Sequence, residues 1–252
     1  MLKQPLVTII TATYNSAATL ADTLESVARQ TYPAIEHLVI DGASTDNTGA
    51  IAARYPHVSR FVSEPDKGLY DAMNKGIQLA KGEIIAILNS DDFYAQPTVI
   101  EKVVETFEKT AALAVYADLQ YVDGENTAKI VRNWVAGDYD SQLFYYGWMP
   151  PHPSFFVKRQ LYEQCGVFDT SFRYAADYEL MLRFLLRYQA PTAYVPEVAV
   201  KMRTGGQSNA SFKNRWKANR EDRRAWDVNG LTPYFFTIPL KPFRKIGQFL
   251  IK

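Results

Sequence analysis

The sequence predicts an α/β protein with a mostly parallel central sheet flanked by helices, followed by a helical and irregular C-terminal extension. Three observations carry that expectation. Short β-branched apolar runs alternate with stretches of helical periodicity through residues 6–109. The connections between them are short, which favours βαβ units. Polar clusters follow the apolar runs directly, where open parallel sheets bind their ligands.

Taken in order, LVTIITA (6–12) is a run of the kind buried on both faces of a sheet. In 17–30, Leu20, Leu24 and Val27 repeat at helical spacing. EHLVIDG (36–42) is the second strand, and 47–55 form a short helix with Ser44, Thr45 or Asp46 as caps. RFVSE (60–64) is the third strand. GLYDAMNKGIQLAK (68–81) is a helix with Leu69, Met73, Ile77 and Ala80 on one face and Gly82 at the C-cap. EIIAILN (83–89) is the fourth strand, and 97–109 a helix with Pro97 at its first position. Residues 113–134 read as two strands about an Asp-Gly turn, then a loop rich in Tyr, Gly and Pro covers about 137–153. SFFVKRQLYEQCG (154–166) gives a strand and a helix, 175–188 a helix with Leu180, Phe184 and Tyr188 repeating, and 193–203 a strand before TGGQS. A highly charged helix covers 212–228, and prolines 233, 239 and 242 argue against one long helix beyond it.

The 252 residues suit one large domain, or one domain with an appendage. A net charge of +1 gives no global field that points to nucleic acid. One cysteine, Cys165, excludes an internal disulfide and fits a reducing compartment. The N-terminal apolar run is too short for a signal peptide, and no stretch of about 18 apolar residues predicts a membrane span.

Asp91 and Asp92 close the fourth strand in ILNSDD. They form either an ordinary loop with a capping aspartate or a divalent-cation site. Like charges at a buried strand end repel, and hard carboxylate oxygens suit Mg²⁺ or Mn²⁺ shared with substrate phosphates. Asp41 belongs to a Gly-assisted turn or accepts from ribose hydroxyls or a base N–H, whereas Asp46 reads as a helix cap. Neither a Gly-x-Gly-x-x-Gly nor a Walker A pattern occurs, against dinucleotide and P-loop readings. Lys67 could pair with a phosphate, and Gly68 opens a helix N-terminus that favours anions. Asp71, Asn74 and Lys75 also read as a solvated helix face. Asp177 sits in a helix first turn, either as a dipole partner or, beside aromatic residues, as a general base. His152, between prolines, is a packed loop histidine or a group reaching a metal or an acceptor hydroxyl. Arg203 is a surface arginine or a cation on a mobile loop that closes over a diphosphate.

Together, VTIITATYNSAATLADTLESVARQTY, EHLVIDGASTDNT, DKGLYDAMNKGIQLAKGEIIAILNSDD and FRYAADYELMLR resemble the family 2 inverting glycosyltransferases of the GT-A fold, whose sheet is Rossmann-like. The likeness is closest to bacterial enzymes of surface-polysaccharide and O-antigen biosynthesis, and it covers about residues 5–210. It implies transfer of one sugar from a nucleotide-diphosphate sugar, commonly a UDP-sugar, to a glycan or lipid-linked acceptor, with Mn²⁺ or Mg²⁺. By position, Thr13, Tyr14 and Asp41 would line base and ribose, and Asp66, Lys67, Asp71 and Asn74 would flank the donor. Asp91 matches the metal-binding final aspartate of the DxD signature, and Asp177 the catalytic base. His152 and Arg203 match regions near acceptor or diphosphate.

There are departures. Asn89 occupies the first DxD position, so the metal would have fewer carboxylates unless Asp92 helps. Ala176 stands where the family often has Glu. Phe212 replaces the Gln of the processive Gln-x-x-Arg-Trp motif that Arg215 and Trp216 would complete, which implies a non-processive enzyme. The expected organisation is a domain over 1–210, with a nucleotide-binding half (1–110) and an acceptor half (111–210), then a basic helix and amphipathic tail over 211–252. That tail carries Lys241, Arg244, Lys245 and Lys252 among aromatics. It is either an arm packed on the domain or an anchor to anionic lipid, with Arg215, Lys217, Arg220, Arg223 and Arg224 serving the same surface. The expected location is the cytoplasm, peripherally at the inner face of the plasma membrane. A non-catalytic sugar-nucleotide or glycan-binding module is the alternative, and retention of both Asp91 and Asp177 argues against it.

Overall fold

The computed structural model describes residues 4–205 and 212–247. Its first part alternates as expected: β1 Val7–Thr13, α1 Leu20–Ala28, β2 Ile35–Asp41, α2 Thr48–Ala52, β3 Val58–Ser63, α3 Leu69–Leu79 and β4 Ile84–Ile87. Then come β5 Phe93–Tyr94, α4 Val99–Lys109, β6 Ala114–Val122, β7 Ile130–Trp134, α5 Gln142–Tyr145, β8 Phe155–Lys158 and α6 Arg159–Cys165. The chain continues with α7 Ala176–Met181, a wide π turn over Leu182–Arg187, β9 Thr192–Arg203, α8 Phe212–Val228 and α9 Thr237–Gly247.

Among the described residues nine strands form one sheet in the order β3-β2-β1-β4-β8-β6-β9-β5, with β7 beside β6. The four strands β3, β2, β1 and β4 are parallel to one another, and β6 is parallel to β9. Antiparallel β8 joins the two groups, as β4 and β6 flank it. Apolar residues alternate between two cores. Ile10, Leu38, Ile40, Ile85 and Ile87 meet Met73 and Ile77 of α3 on one face. Val7, Ile9, Ile84, Ala86 and Leu88 meet Ile100, Val103, Val104 and Phe107 of α4 on the other. Coverage of both faces is why these strands read as unbroken apolar runs.

Several expectations need correction. The helix after β4 begins at Val99 with Thr98 as N-cap, so Pro97 precedes the helix; its carbonyl instead accepts the Thr31 N–H at 2.9 Å. Gly82 is not the C-cap of α3, because Ala80 already takes an extended conformation there. It marks a close backbone approach: a Cβ at Gly82 would lie 2.5 Å from the Thr8 nitrogen. Gly82→Ala should therefore destabilise by about 1–3 kcal/mol, because backbone cannot move aside as a side-chain tip would. An unfolding free energy from urea titration within about 0.5 kcal/mol of wild type, the range of neutral surface changes, would contradict this. In the tail, Pro242 lies inside α9 rather than breaking it.

His37 is buried at 0 % exposure in β2. Its Nε2 lies 3.0 Å from the Thr11 hydroxyl, and its Nδ1 3.1 Å from His57 Nε2. Burial, and then the His57 charge, lower its pKa from 6.5 to about 3. The folded protein thus excludes a proton that the unfolded chain takes up below pH 6.5, and stability falls with pH from there towards 3. By pH 5 the wild type should lose about 2 kcal/mol more than His37→Gln, both referred to pH 7. Parallel denaturation curves at the two pH values check this; equal losses would contradict it.

Candidate active site

The carboxyl ends of β1, β2, β3 and β4 share one edge, with Thr13, Asp41 and Ser63 side by side in register. The loops leaving them are tied together. Asn15, at φ 49°, accepts the Thr45 N–H at 2.9 Å and donates its own N–H to the Ser44 hydroxyl at 2.7 Å. Asp46 accepts the Ala17 and Thr48 N–H groups, each at 3.0 Å. The Ser16 and Ser90 hydroxyls lie 2.9 Å apart, and the Thr19 hydroxyl donates to the Ser90 carbonyl at 2.8 Å. Three strand-end loops are thereby held in one arrangement.

Between the loops after β1, β2 and β3 is an open cleft of about 370 Å³ lined by Tyr14, Gly42, Pro65, Asp66 and Gly68. Tyr14 is 60 % exposed and presents a free aromatic face. Gly42 lets the walls close in: a Cβ there would lie 2.5 Å from the Asp66 carboxylate and 3.4 Å from the Tyr14 ring. The other Asp66 oxygen accepts the Gly68 N–H at 2.8 Å, which orients the carboxylate at the start of α3. Lys67 is exposed between them. Asp41, 2 % exposed, is held by Ser44 and by Ser63, whose hydroxyl donates at 2.6 Å. These bonds fix its carboxylate in the turn beneath the cleft. Asp71 accepts the Lys67 N–H at 2.9 Å and lies 3.8 Å from Lys75. Asn74 faces away: its amide exchanges two hydrogen bonds with the Phe168 backbone, at 2.8 and 2.9 Å.

At the end of β4 the two carboxylates differ. Asp92 is 0 % exposed, and the Asn89 amide donates to it at 3.0 Å. Burial and the Asp91 charge push its carboxyl well above the usual range. Asp91 is half-buried, and burial raises it too, against the pull of Arg203. Asn89 therefore serves as the staple for Asp92. Thr13 Oγ1, Asn89 Oδ1 and Asp92 Oδ1 are buried without a hydrogen-bond partner. Among the described residues no cluster of three or more His, Cys, Asp or Glu could hold a metal. The oxygen donors present fit a hard divalent cation only where a ligand supplies further oxygens: Asp91 is the reachable carboxylate, and Asp92 lies behind it.

Arg203 is not on a mobile loop. It is 7 % exposed at the end of β9, donating to the Asp91 carbonyl at 2.8 Å and ion-pairing with Asp22. Its guanidinium lies 5.1 Å from the Phe93 ring centroid. Residues 206–208 of TGGQS, which were to carry that motion, lie outside the described residues, as does Lys252. Nothing is described of the side chains of Phe212, Arg215, Trp216 and Lys245.

Asp177, near the start of α7, accepts from the Tyr70 hydroxyl at 3.2 Å. Burial and the Asp177 charge hold the Tyr70 phenol well above its ordinary pKa, so it stays a donor. His152 is half-buried against the Phe168 ring; burial keeps its imidazole below the usual range while Asp177 opposes that shift. Burial raises the phenol pKa of Tyr121 on β6, against the lowering effect of Arg132. Arg132, its register partner on β7, covers its ring at 3.8 Å. Tyr70, through its bond to Asp177, is a candidate site neighbour that sequence reasoning missed, and the Tyr121–Arg132 pair was not singled out either. Tyr70 lies in a helix read for its apolar face, and the Tyr121–Arg132 pairing follows only from the register of β6 and β7.

The Glycosyl transferase family 2 model matches residues 8–176. An uncharacterized glycosyltransferase of Mycobacterium tuberculosis is 35% identical over 196 residues, covering 74% of this chain and 71% of its own. A PGL/p-HBAD biosynthesis glycosyltransferase of Mycobacterium bovis is 31% identical over 210 residues, covering 81% and 80%. Among solved structures, TarS of S. aureus in complex with UDP-GlcNAc superposes with a TM-score of 0.73 at 17% identity, over 97% of this chain and 71% of that one. A mannosyltransferase of Pyrobaculum calidifontis in complex with GDP-Man and Mn²⁺ gives 0.67 at 20% identity, over 97% and 70%. At these identities the two structures establish a shared GT-A fold.

Proposed function

Because the chain belongs to the family 2 glycosyltransferases, we propose that it moves one sugar from a nucleoside diphosphate sugar, a UDP-sugar first, to a glycan or lipid-linked hydroxyl with inversion. One observation carries the reading. Tyr14, Asp66 and Asp91 follow the carboxyl ends of β1, β3 and β4, and Asp177 reaches the first turn of α3, beside the Gly68 wall of the same cleft, through Tyr70.

Tyr14 stacks on the base, and Asp66 accepts hydrogen bonds from the nucleoside. The N-terminus of α3 at Gly68, with Lys67 beside it, favours the diphosphate. Asp91 would hold Mn²⁺ or Mg²⁺, which when bound would neutralise charge growing on the departing diphosphate. Asp177 takes the proton from the acceptor hydroxyl as that oxygen bonds to the anomeric carbon. The bond to the diphosphate oxygen breaks, its electrons leave with the nucleoside diphosphate, and the Tyr70 hydrogen bond fixes the carboxylate during the transfer. His152, neutral beside Asp177, borders the acceptor. That the M. bovis relative is a PGL/p-HBAD biosynthesis glycosyltransferase supports a biosynthetic glycosyl transfer. Product anomeric configuration tests the mechanism: an α-linked donor should give only a β-linked product, and retention would exclude a single displacement.

No helix among the described residues is long and apolar enough to cross a membrane. The tail supports surface contact instead. Tyr234 and Phe235, the latter 90 % exposed, project beside Tyr146. Lys241 has a different job from lipid contact: its ammonium pairs with Asp222 at 2.7 Å and lies 3.4 Å from the Tyr178 ring centroid. Aromatics rather than this cation would therefore meet the inner face of the plasma membrane. Cosedimentation of Phe235→Ser with anionic vesicles should fall below wild type; equal binding would refute the contact.

A further inference from the structure

We infer that Glu221 of α8 is a positioning residue for Asp177, an inference that rests on the base assignment proposed above. The Glu221 carboxylate accepts three consecutive backbone N–H groups. Arg173 donates to Oε1 at 3.1 Å, and Tyr174 and Ala175 donate to Oε2 at 2.7 and 3.0 Å. Ala175 is the N-cap of α7 and makes no side-chain capping bond. The anion comes instead from a helix 46 residues further along the chain. Backbone N–H groups converging on one carboxylate make strong, charge-assisted bonds that fix local geometry. Here the fixed segment ends two residues before Asp177.

The rest of α8 and its C-terminal turn grip the same segment. Arg224 donates to the Ser171 hydroxyl at 2.7 Å, the Trp226 indole donates to the Tyr178 hydroxyl at 2.9 Å, and Asn229 donates to Glu179 at 3.1 Å. With Tyr178 and Glu179 turned to α8, Asp177 is left facing Tyr70 on α3. The inner face of this charged helix therefore sets the direction of the base. The family model ends at residue 176, so neither Asp177 nor α8 lies within its match.

Glu221→Gln keeps the shape but replaces one acceptor oxygen with a donor, so at least one of the three bonds is lost. Its kcat should fall by about 10- to 100-fold with donor affinity unchanged. In an Asp177→Asn background the same change should cost less than about twofold, because residues acting through one another are not additive. Glu221→Asp, which keeps the charge, should recover part of the rate and serves if the glutamine variant fails to fold. A kcat within twofold of wild type, or an undiminished loss in the Asp177→Asn background, would overturn the inference. Near-normal turnover of Asp177→Asn alone would remove the base assignment itself.

Discussion

Asp177→Asn should lower turnover by about 10²–10⁴-fold, the range for loss of a positioned general base, while donor affinity and melting temperature stay near wild type. The substitution is close to isosteric. The amide oxygen can still accept from Tyr70, whose hydroxyl lies 3.2 Å from Oδ1. The backbone of the preceding segment stays bound to Glu221. Only the capacity to accept a proton from the acceptor hydroxyl is lost. The rate loss corresponds to about 3–5 kcal/mol of transition-state stabilisation. Steady-state transfer with saturating donor, set beside donor titration of the same variant, separates the effects. Turnover within tenfold of wild type would sink the assignment, and weakened donor binding would move Asp177 to the donor subsite.

Asp91→Ala should abolish the gain in donor affinity that Mn²⁺ confers, a change of at least about tenfold, or 1.4 kcal/mol. The apo protein should melt no lower than wild type. Burial raises both Asp91 and Asp92, and the Asp91 charge raises Asp92 further; removing the more exposed carboxylate removes that effect. Arg203 keeps its place, because it bonds the Asp91 backbone carbonyl and Asp22 rather than the Asp91 side chain. Equal donor affinity in Asp91→Ala and wild type, with and without Mn²⁺, would contradict this. A large fall in apo stability would give Asp91 a structural role instead.

The parallel half of the sheet was legible because strands buried on both faces read as apolar runs and the connections are short. The two-residue β5 was not, since pairing with Lys201 and Val200 of β9 creates it. Topology alone singled out the strand-end residues. It could not say which groups those side chains would meet: Asp41 accepts from Ser44 and Ser63, and Asn74, named from the helix segment of the resemblance, bonds the Phe168 backbone. Arg203 was misread as mobile because its partners, Asp22 and Asp91, stand 181 and 112 positions away. The grip of Glu221 on residues 173–175 is equally non-local. Asn89 looked like a defect in a metal signature, whereas its amide staples the buried Asp92.

The most direct measurement is a thermal-shift screen of nucleotide sugars with and without Mn²⁺ on the wild-type chain. One nucleoside diphosphate sugar with Mn²⁺ should raise the transition clearly, since a ligand at 100 times its dissociation constant stabilises by about 2.7 kcal/mol. Loss of that shift in Asp91→Ala and its retention in Asp177→Asn would place metal and base as proposed. No shift with any nucleotide sugar, with or without Mn²⁺, would contradict a donor site at this strand edge.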